Sequence, residues 1–214
     1  EEYLKAKSTE TRESTLDKSK RILKYHVIPH LGEYKLKKLN TYQGGSGKRG
    51  RIGLPMALGM YELLPLWHGI FNALGFETVL SGGSTRRVYE KGQFTIPSDT
   101  ACYPAKLMHG HIMNLLDAGV DAIFYPCLTY NVDEKSSDNH YNCPVVAYYP
   151  ELLAGNIDGL SKDMFLYPYL NINSSRVLVR GLAECLSKRF GNIPKKEISR
   201  AVKLGFDEYN RYIE

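Results

Sequence analysis

The sequence predicts an α/β fold, a Rossmann-like or flavodoxin-like three-layer α/β/α sandwich with a mostly parallel sheet. Three observations carry this expectation. From Arg51 onward short apolar runs alternate with longer amphipathic segments, the pattern of parallel strands with crossover helices on both faces. Glycines stand just past the ends of three such segments, at 75, 92 and 119, where a left-handed cap costs least. The chain has 214 residues, 43% of them hydrophobic, enough to bury a core without metal or disulfide staples.

Taken in order, Arg51 to Pro55 reads as a short strand and Met60 to Leu74 as a helix closed by Gly75. Glu77 to Leu80 is a second strand, Ser84 to Lys91 a helix stopped by Gly92, and Phe94 to Ile96 a short extended piece. Pro104 to Ala118 has proline in its first turn and Gly119 beyond its end, the asymmetry of a helix. Val120 to Tyr125, Val145 to Tyr149 and Met164 to Leu170 are rich in β-branched and aromatic residues and read as strands. Ser175 to Phe190 and Lys195 to Ile213 read as helices, the last with an apolar stripe of Ile198, Val202, Phe206, Tyr209 and Ile213.

The formal charge of +5 is unevenly placed. Residues 1–50 hold 12 Lys or Arg against 6 Asp or Glu, and the remainder is close to neutral at −1. Residues 1–49 therefore read as a basic, partly flexible arm or linker and 50–214 as the α/β domain with its C-terminal helices. The charge gives no reason to expect nucleic acid as a partner of that domain. No apolar run approaches the ~18 residues of a membrane span. The chain opens Glu-Glu-Tyr without a charged-then-apolar leader, which reads as a piece of a longer, cytoplasmic protein. In the stretch Gly44 to Gly50, Tyr42 stands where a phosphate loop needs its first glycine and Arg49 where it needs Ser or Thr.

Four cysteines occur, at 102, 127, 143 and 185. Cys185 lies between Leu182 and Leu186 on a helix and reads as packing. The other three each have a proline within two residues, which stiffens their loops. Cys102 and Cys127 fall on the carboxyl edge of the sheet, where α/β proteins bind ligands, and Cys102 precedes a helix whose amides and dipole favour negative charge. Three thiolates from separate loops suit an iron–sulfur cluster with one open iron, although spacings of 25 and 16 residues match no ferredoxin run. If Val145 to Tyr149 is a parallel strand, Cys143 enters at its amino end, roughly 15 Å from the others at ~3.3 Å per residue; the alternatives are a loop from Leu128 to Asn142 that holds it close, or a strand that is tilted or starts later. A Cys₃His zinc site with His140 as fourth ligand is the competing reading. His109 and His111, two apart on a helix, point in opposite directions and read as one polar-facing and one packed residue.

The strings RIGLPMALGMYELLPLW, GFETVLSGGSTRRVYEKG, IPSDTACYPAKLMHGHI, VDAIFYPC and DNHYNCPVVAYYPELL occur in that order between Arg51 and Leu153. Together they resemble the domain of unknown function of large acyl-CoA dehydratase activase-related proteins, which belong to the 2-hydroxyglutaryl-CoA dehydratase and benzoyl-CoA reductase system; the likeness covers roughly Arg51 to Asn171. What the resemblance implies is an anaerobic setting in which an ATP-hydrolysing activase with a [4Fe–4S] cluster passes a low-potential electron to a dehydratase or reductase. The subunits of that acceptor bind a [4Fe–4S] cluster through three cysteines, and Cys102, Cys127 and Cys143 stand in the matching blocks. It thus implies an iron–sulfur cluster-binding or electron-transfer accessory module, not catalytic alone. Its partners would be neighbouring domains of the parent chain, activase ATPase modules or a dehydratase subunit. The activase ATPase signature is missing, so no ATP site is expected in this chain. The rival expectation is a non-catalytic docking or small-molecule-binding domain, its cysteines structural or zinc-binding. One form of it is an acyl-CoA site at the open sheet edge, with Lys106 or Arg86 meeting phosphates.

Overall fold

Strands in this chain are short and are closed by proline or glycine, so the sheet is small and its carboxyl edge is crowded with loops. A computed structural model describes residues 42–133 and 139–213, all within one unit; residues 1–41 of the expected basic arm lie outside the described residues. Strands β1 (Arg51–Leu54), β2 (Glu77–Leu80), β3 (Ala122–Phe124) and β5 (Phe165–Leu166) pair in the order β2-β1-β3-β5, every pair parallel. A second parallel pair joins β4 (Cys127–Leu128) to β6 (Tyr169–Leu170). The two pairs are interrupted at Pro126 and Pro168, which have no N–H to donate to a ladder. The Met164 to Leu170 strand is accordingly split in two.

The helices are α1 (Gly59–Glu62), α2 (Leu64–Ala73), α3 (Arg86–Gly92), α4 (Tyr103–Asp117), α5 (Pro144–Asn156), α6 (Ser175–Phe190) and α7 (Lys195–Ile213). They cover both faces of the sheet. Phe124 packs edge-on against Trp67 and Phe71 of α2, whereas Gly53, in register with the neighbouring Ile123, faces Leu115 of α4. The central strands are therefore buried on both sides: Ile52, Leu54, Ala122, Ile123 and Phe124 are fully buried. Helix α7 packs on α2, and α3 on α4. The three-layer α/β expectation holds.

Three local expectations fail, each for a visible reason. The single helix expected over Met60 to Leu74 is broken at Leu63, because Pro65 clashes with the carbonyl four residues back and the helix restarts with Pro65 in its first turn. Its end is as expected: Gly75 has φ 85°, its N–H bonds Asn72 O and the Phe76 N–H bonds Phe71 O at 2.9 Å, a Schellman closure. Phe94 to Ile96 is not extended; Gln93–Thr95 forms a 3₁₀ turn in which Thr95 Oγ1 donates to Gly92 O. Val145 to Tyr149 is not a strand but the first part of α5, which has Pro144 at its opening position and buries Ala147, Tyr149, Pro150 and Leu153. Burial of one helical face overrides the β-propensity of the Val-Val-Ala-Tyr-Tyr run.

The glycine stretch is fitted to the sheet. Gly44 exchanges backbone hydrogen bonds with Thr78 of the edge strand β2 at 2.7 and 2.9 Å, which covers that edge. A Cβ on Gly45 would stand 2.3 Å from Phe76 O, so only glycine lets the backbones approach this closely. Among the described residues no helix is long and apolar enough to cross a membrane.

Candidate functional site

Helix α4 ends at the amino side of the sheet, where it feeds β3, so its first residue lies at the carboxyl edge. Cys102 is its N-cap, exposed, with φ −63° and ψ 154°. The change of Val145 to Tyr149 from strand to helix puts Cys143 in the same setting. It is the exposed N-cap of α5, with φ −62° and ψ 153°, and its Sγ accepts from Val146 N at 3.4 Å. Both helices carry proline in their first two positions. Cys127, just beyond β3, is almost wholly buried.

The connection between Cys127 and Cys143 doubles back on itself. Tyr130 and Tyr141 form an antiparallel bridge, Asn131 N donates to His140 O, Asn142 N donates to Thr129 O, and Asn142 Nδ2 donates to Leu128 O, all at 2.9 Å. The residue before Cys143 is thus bonded to the two residues after Cys127. The strand that would have carried Cys143 to the amino end of the sheet is absent, since Val145 to Tyr149 is helical, and Asn142 is tethered to Leu128 and Thr129. Helices α4 and α5 are tied in turn by Tyr149, whose hydroxyl lies 3.0 Å from His109 Nε2. Thr95 gives its only proton to Gly92 O, so His109 Nδ1 donates to Thr95 at 2.7 Å and Tyr149 donates into Nε2.

Tyr125 sits among these elements. It is 2% exposed, and its hydroxyl has no hydrogen-bond partner among the described residues, a costly condition for a buried polar atom. Burial keeps the Tyr125 phenol protonated, and charge on Cys127, Tyr149, Cys143 or Cys102 opposes its ionisation further. Burial, aided by the Glu151 carboxylate, pushes the Cys127 thiol up to about 12. Burial and then Cys102 push the Tyr149 phenol to about 12. Glu151 itself accepts a short hydrogen bond from Tyr169. The loop after β1 closes against the same region: Leu58 is held at φ 51°, an uncommon conformation for leucine, and Gly59 lies beside Val146 in the first turn of α5.

Other residues singled out from the sequence are placed elsewhere or already engaged. Where the sequence reads one of His109 and His111 as polar-facing and the other as packed, both are completely buried and both have polar partners. His111 is bracketed by Ser81 Oγ at 2.8 Å and Ser84 Oγ at 2.9 Å. The two histidines hydrogen-bond different neighbours. The His140 ring packs against Tyr130, and among the described residues no three His, Cys, Asp or Glu side chains are arranged to hold a metal ion. Lys106 Nζ donates to Asp99 O, and Arg86 pairs with Glu90. Ser98 and Thr100, in the loop before Cys102, bond each other. Cys185 is buried on α6, its thiol raised to about 12 by burial.

Sequence comparison places this fold. Residues 51–214 match the family described as the CoA enzyme activase uncharacterised domain. The chain belongs to this family. The match reaches past Asn171, the limit of the likeness read from motif strings, and takes in α6 and α7, so the CoA enzyme activase domain comprises the whole sandwich from β1 onward. Residues 1–43 are similar to a different family, the N-terminal SAM-like domain of phage integrases. No curated protein and no solved structure matches the chain. Within the CoA enzyme activase domain, Tyr125 and Tyr149 are the residues that motif reading missed. Tyr125 had a signal, since Tyr-Pro-Cys places an aromatic ring two residues before a cysteine. Tyr149 had none, because its segment looked like a strand.

Proposed function

We propose that this domain holds a [4Fe–4S] cluster on Cys102, Cys127 and Cys143 and acts as an electron-transfer accessory module of a CoA dehydratase activase-like protein. The observation that carries the reading is the buried Tyr125 hydroxyl, two residues before Cys127, which has no hydrogen-bond partner among the described residues and whose ionisation charge on Cys127, Cys143 or Cys102 would oppose. The Trp67 indole N–H is likewise unpartnered, but it lies in the core, whereas Tyr125 stands beside Cys127, where a group bound from outside would supply the acceptor. The donor set fits as well. Ligands to a cluster sit on different irons, so three sulfurs need not converge as they would on one ion. Two of them cap helices whose N-terminal dipoles favour the negative charge of thiolates and cluster, and metal binding displaces the proton that burial holds on Cys127. When bound, the cluster would supply one-electron transfer. The protein's part is to hold it on three stiffened loops and to tune it through Tyr125.

The test is anaerobic purification or reconstitution of the full chain, with iron, acid-labile sulfide and visible absorbance measured for each Cys→Ser variant. About four irons per chain are expected for an intact [4Fe–4S] cluster, with Cys185→Ser unchanged and with Cys102→Ser, Cys127→Ser and Cys143→Ser losing most of their iron. A colourless protein, or one with stoichiometric zinc, overturns the reading. With a cluster in place, Tyr125→Phe should retain iron but lower the reduction potential. Loss of one hydrogen bond to sulfur, about 1 kcal/mol, corresponds to a few tens of millivolts for one electron. A redox titration followed by electron paramagnetic resonance reads the shift.

A further inference from the structure

Helices α6 and α7 flank an open cleft of about 690 Å³ lined by Ser175, Arg176, Val177, Val179, Arg180, Lys195, Lys196 and Ser199, none of them a cysteine. Four of the lining side chains are cationic and none is acidic. Arg176, Arg180, Lys195 and Lys196 are all exposed, and among the described residues none of them forms an ion pair or side-chain hydrogen bond, unlike Arg49 with Glu197, Arg51 with Glu77, Arg86 with Glu90, and Lys91 with Asp117. Arg176 and Arg180 are also four apart on one helix, a spacing at which like charges repel.

From this arrangement we propose that the α6–α7 cleft is a binding site for a small diphosphate-bearing molecule. Unneutralised cations gathered in a concave site attract and retain an anion, and guanidinium groups match phosphate oxygens in pairs. The volume is that of a small-molecule pocket, within the usual ~300–1,000 Å³. Val177 and Val179 supply apolar wall for the part of the molecule that is not phosphate. The site does not depend on the cysteines, so it stands or falls separately from the cluster.

The experiment is isothermal titration of the full chain with pyrophosphate at fixed ionic strength, repeated with Arg180→Gln/Lys196→Gln and with Lys203→Gln, an exposed cation on α7 outside the cleft. Saturable binding near one site per chain is expected, weakened roughly tenfold or more in the double variant, as charge-assisted contacts of this kind are lost, and unchanged in Lys203→Gln. No saturable binding, or equal binding by the double variant, overturns the proposal, as does equal weakening by Lys203→Gln, which would mark only a diffuse charge effect.

Discussion

Replacing Gly110 by alanine is expected to destabilise the domain by about 3 kcal/mol or more, the upper range for overpacking a core. The reason is contact between backbones. Helices α3 and α4 cross where Gly92 meets Gly110: a Cβ on Gly110 would stand 1.7 Å from Val88 O, and one on Gly92 would stand 2.3 Å from Gly110 N. No rotamer change relieves an overlap with a carbonyl, so the helices must separate and surrender the burial of Val88, Leu107, Ile112 and Leu115. Gly155→Ala is the control. It lies in α5 with nothing within 4 Å of the added carbon, and there alanine should stabilise by roughly 0.5–1 kcal/mol through helix propensity. Urea unfolding of both variants measures the contrast, and a Gly110→Ala variant as stable as the parent would contradict the contact. The opposite face repeats the device, for a Cβ on Gly69 of α2 would approach Gly205 of α7 to 2.9 Å.

Acidification from pH 6.5 toward 4 should unfold the domain through its buried histidines. Burial lowers His109 and His111 to about 4 and moves His68 in the same direction. The folded-state values lie below the ordinary 6.5, so the unfolded chain takes up protons that the folded chain refuses. The stability these histidines contribute is complete above about 6.5 and is lost as pH falls to the folded values. Each of His109 and His111 accounts for up to about 3 kcal/mol over that window. Urea midpoints between pH 7 and 5.5, above the range where carboxylates titrate, isolate the effect. A flat profile there would show that the histidines are free to protonate in place.

Much of the scaffold was legible in local pattern. Alternation of strand-like and helical segments, proline at helix openings and Gly75 and Gly119 at helix ends act over a few residues, and their outcome survives packing. The segment Val145 to Tyr149 shows the limit of that legibility. Its β-branched and aromatic residues favour extension in isolation, yet Pro144 and the burial of Ala147, Pro150 and Leu153 on one face make it a helix, and the position of Cys143 changes with it. Likewise both His109 and His111 are buried because α4 is enclosed on several sides, a fact about its neighbours that a helical wheel of α4 does not contain.

What the sequence determined by itself is the α/β class, the order of nearly all elements and the three cysteines flanked by proline, because these follow from backbone sterics and short-range periodicity. What only the tertiary structure decided is that Cys143, like Cys102, caps a helix and is tethered beside the strand of Cys127, and that the Tyr125 hydroxyl is buried without a partner among the described residues. Those facts depend on Asn142 returning to Leu128 and on Tyr149 reaching His109, contacts between residues far apart in the chain whose pairing is set by how the layers pack.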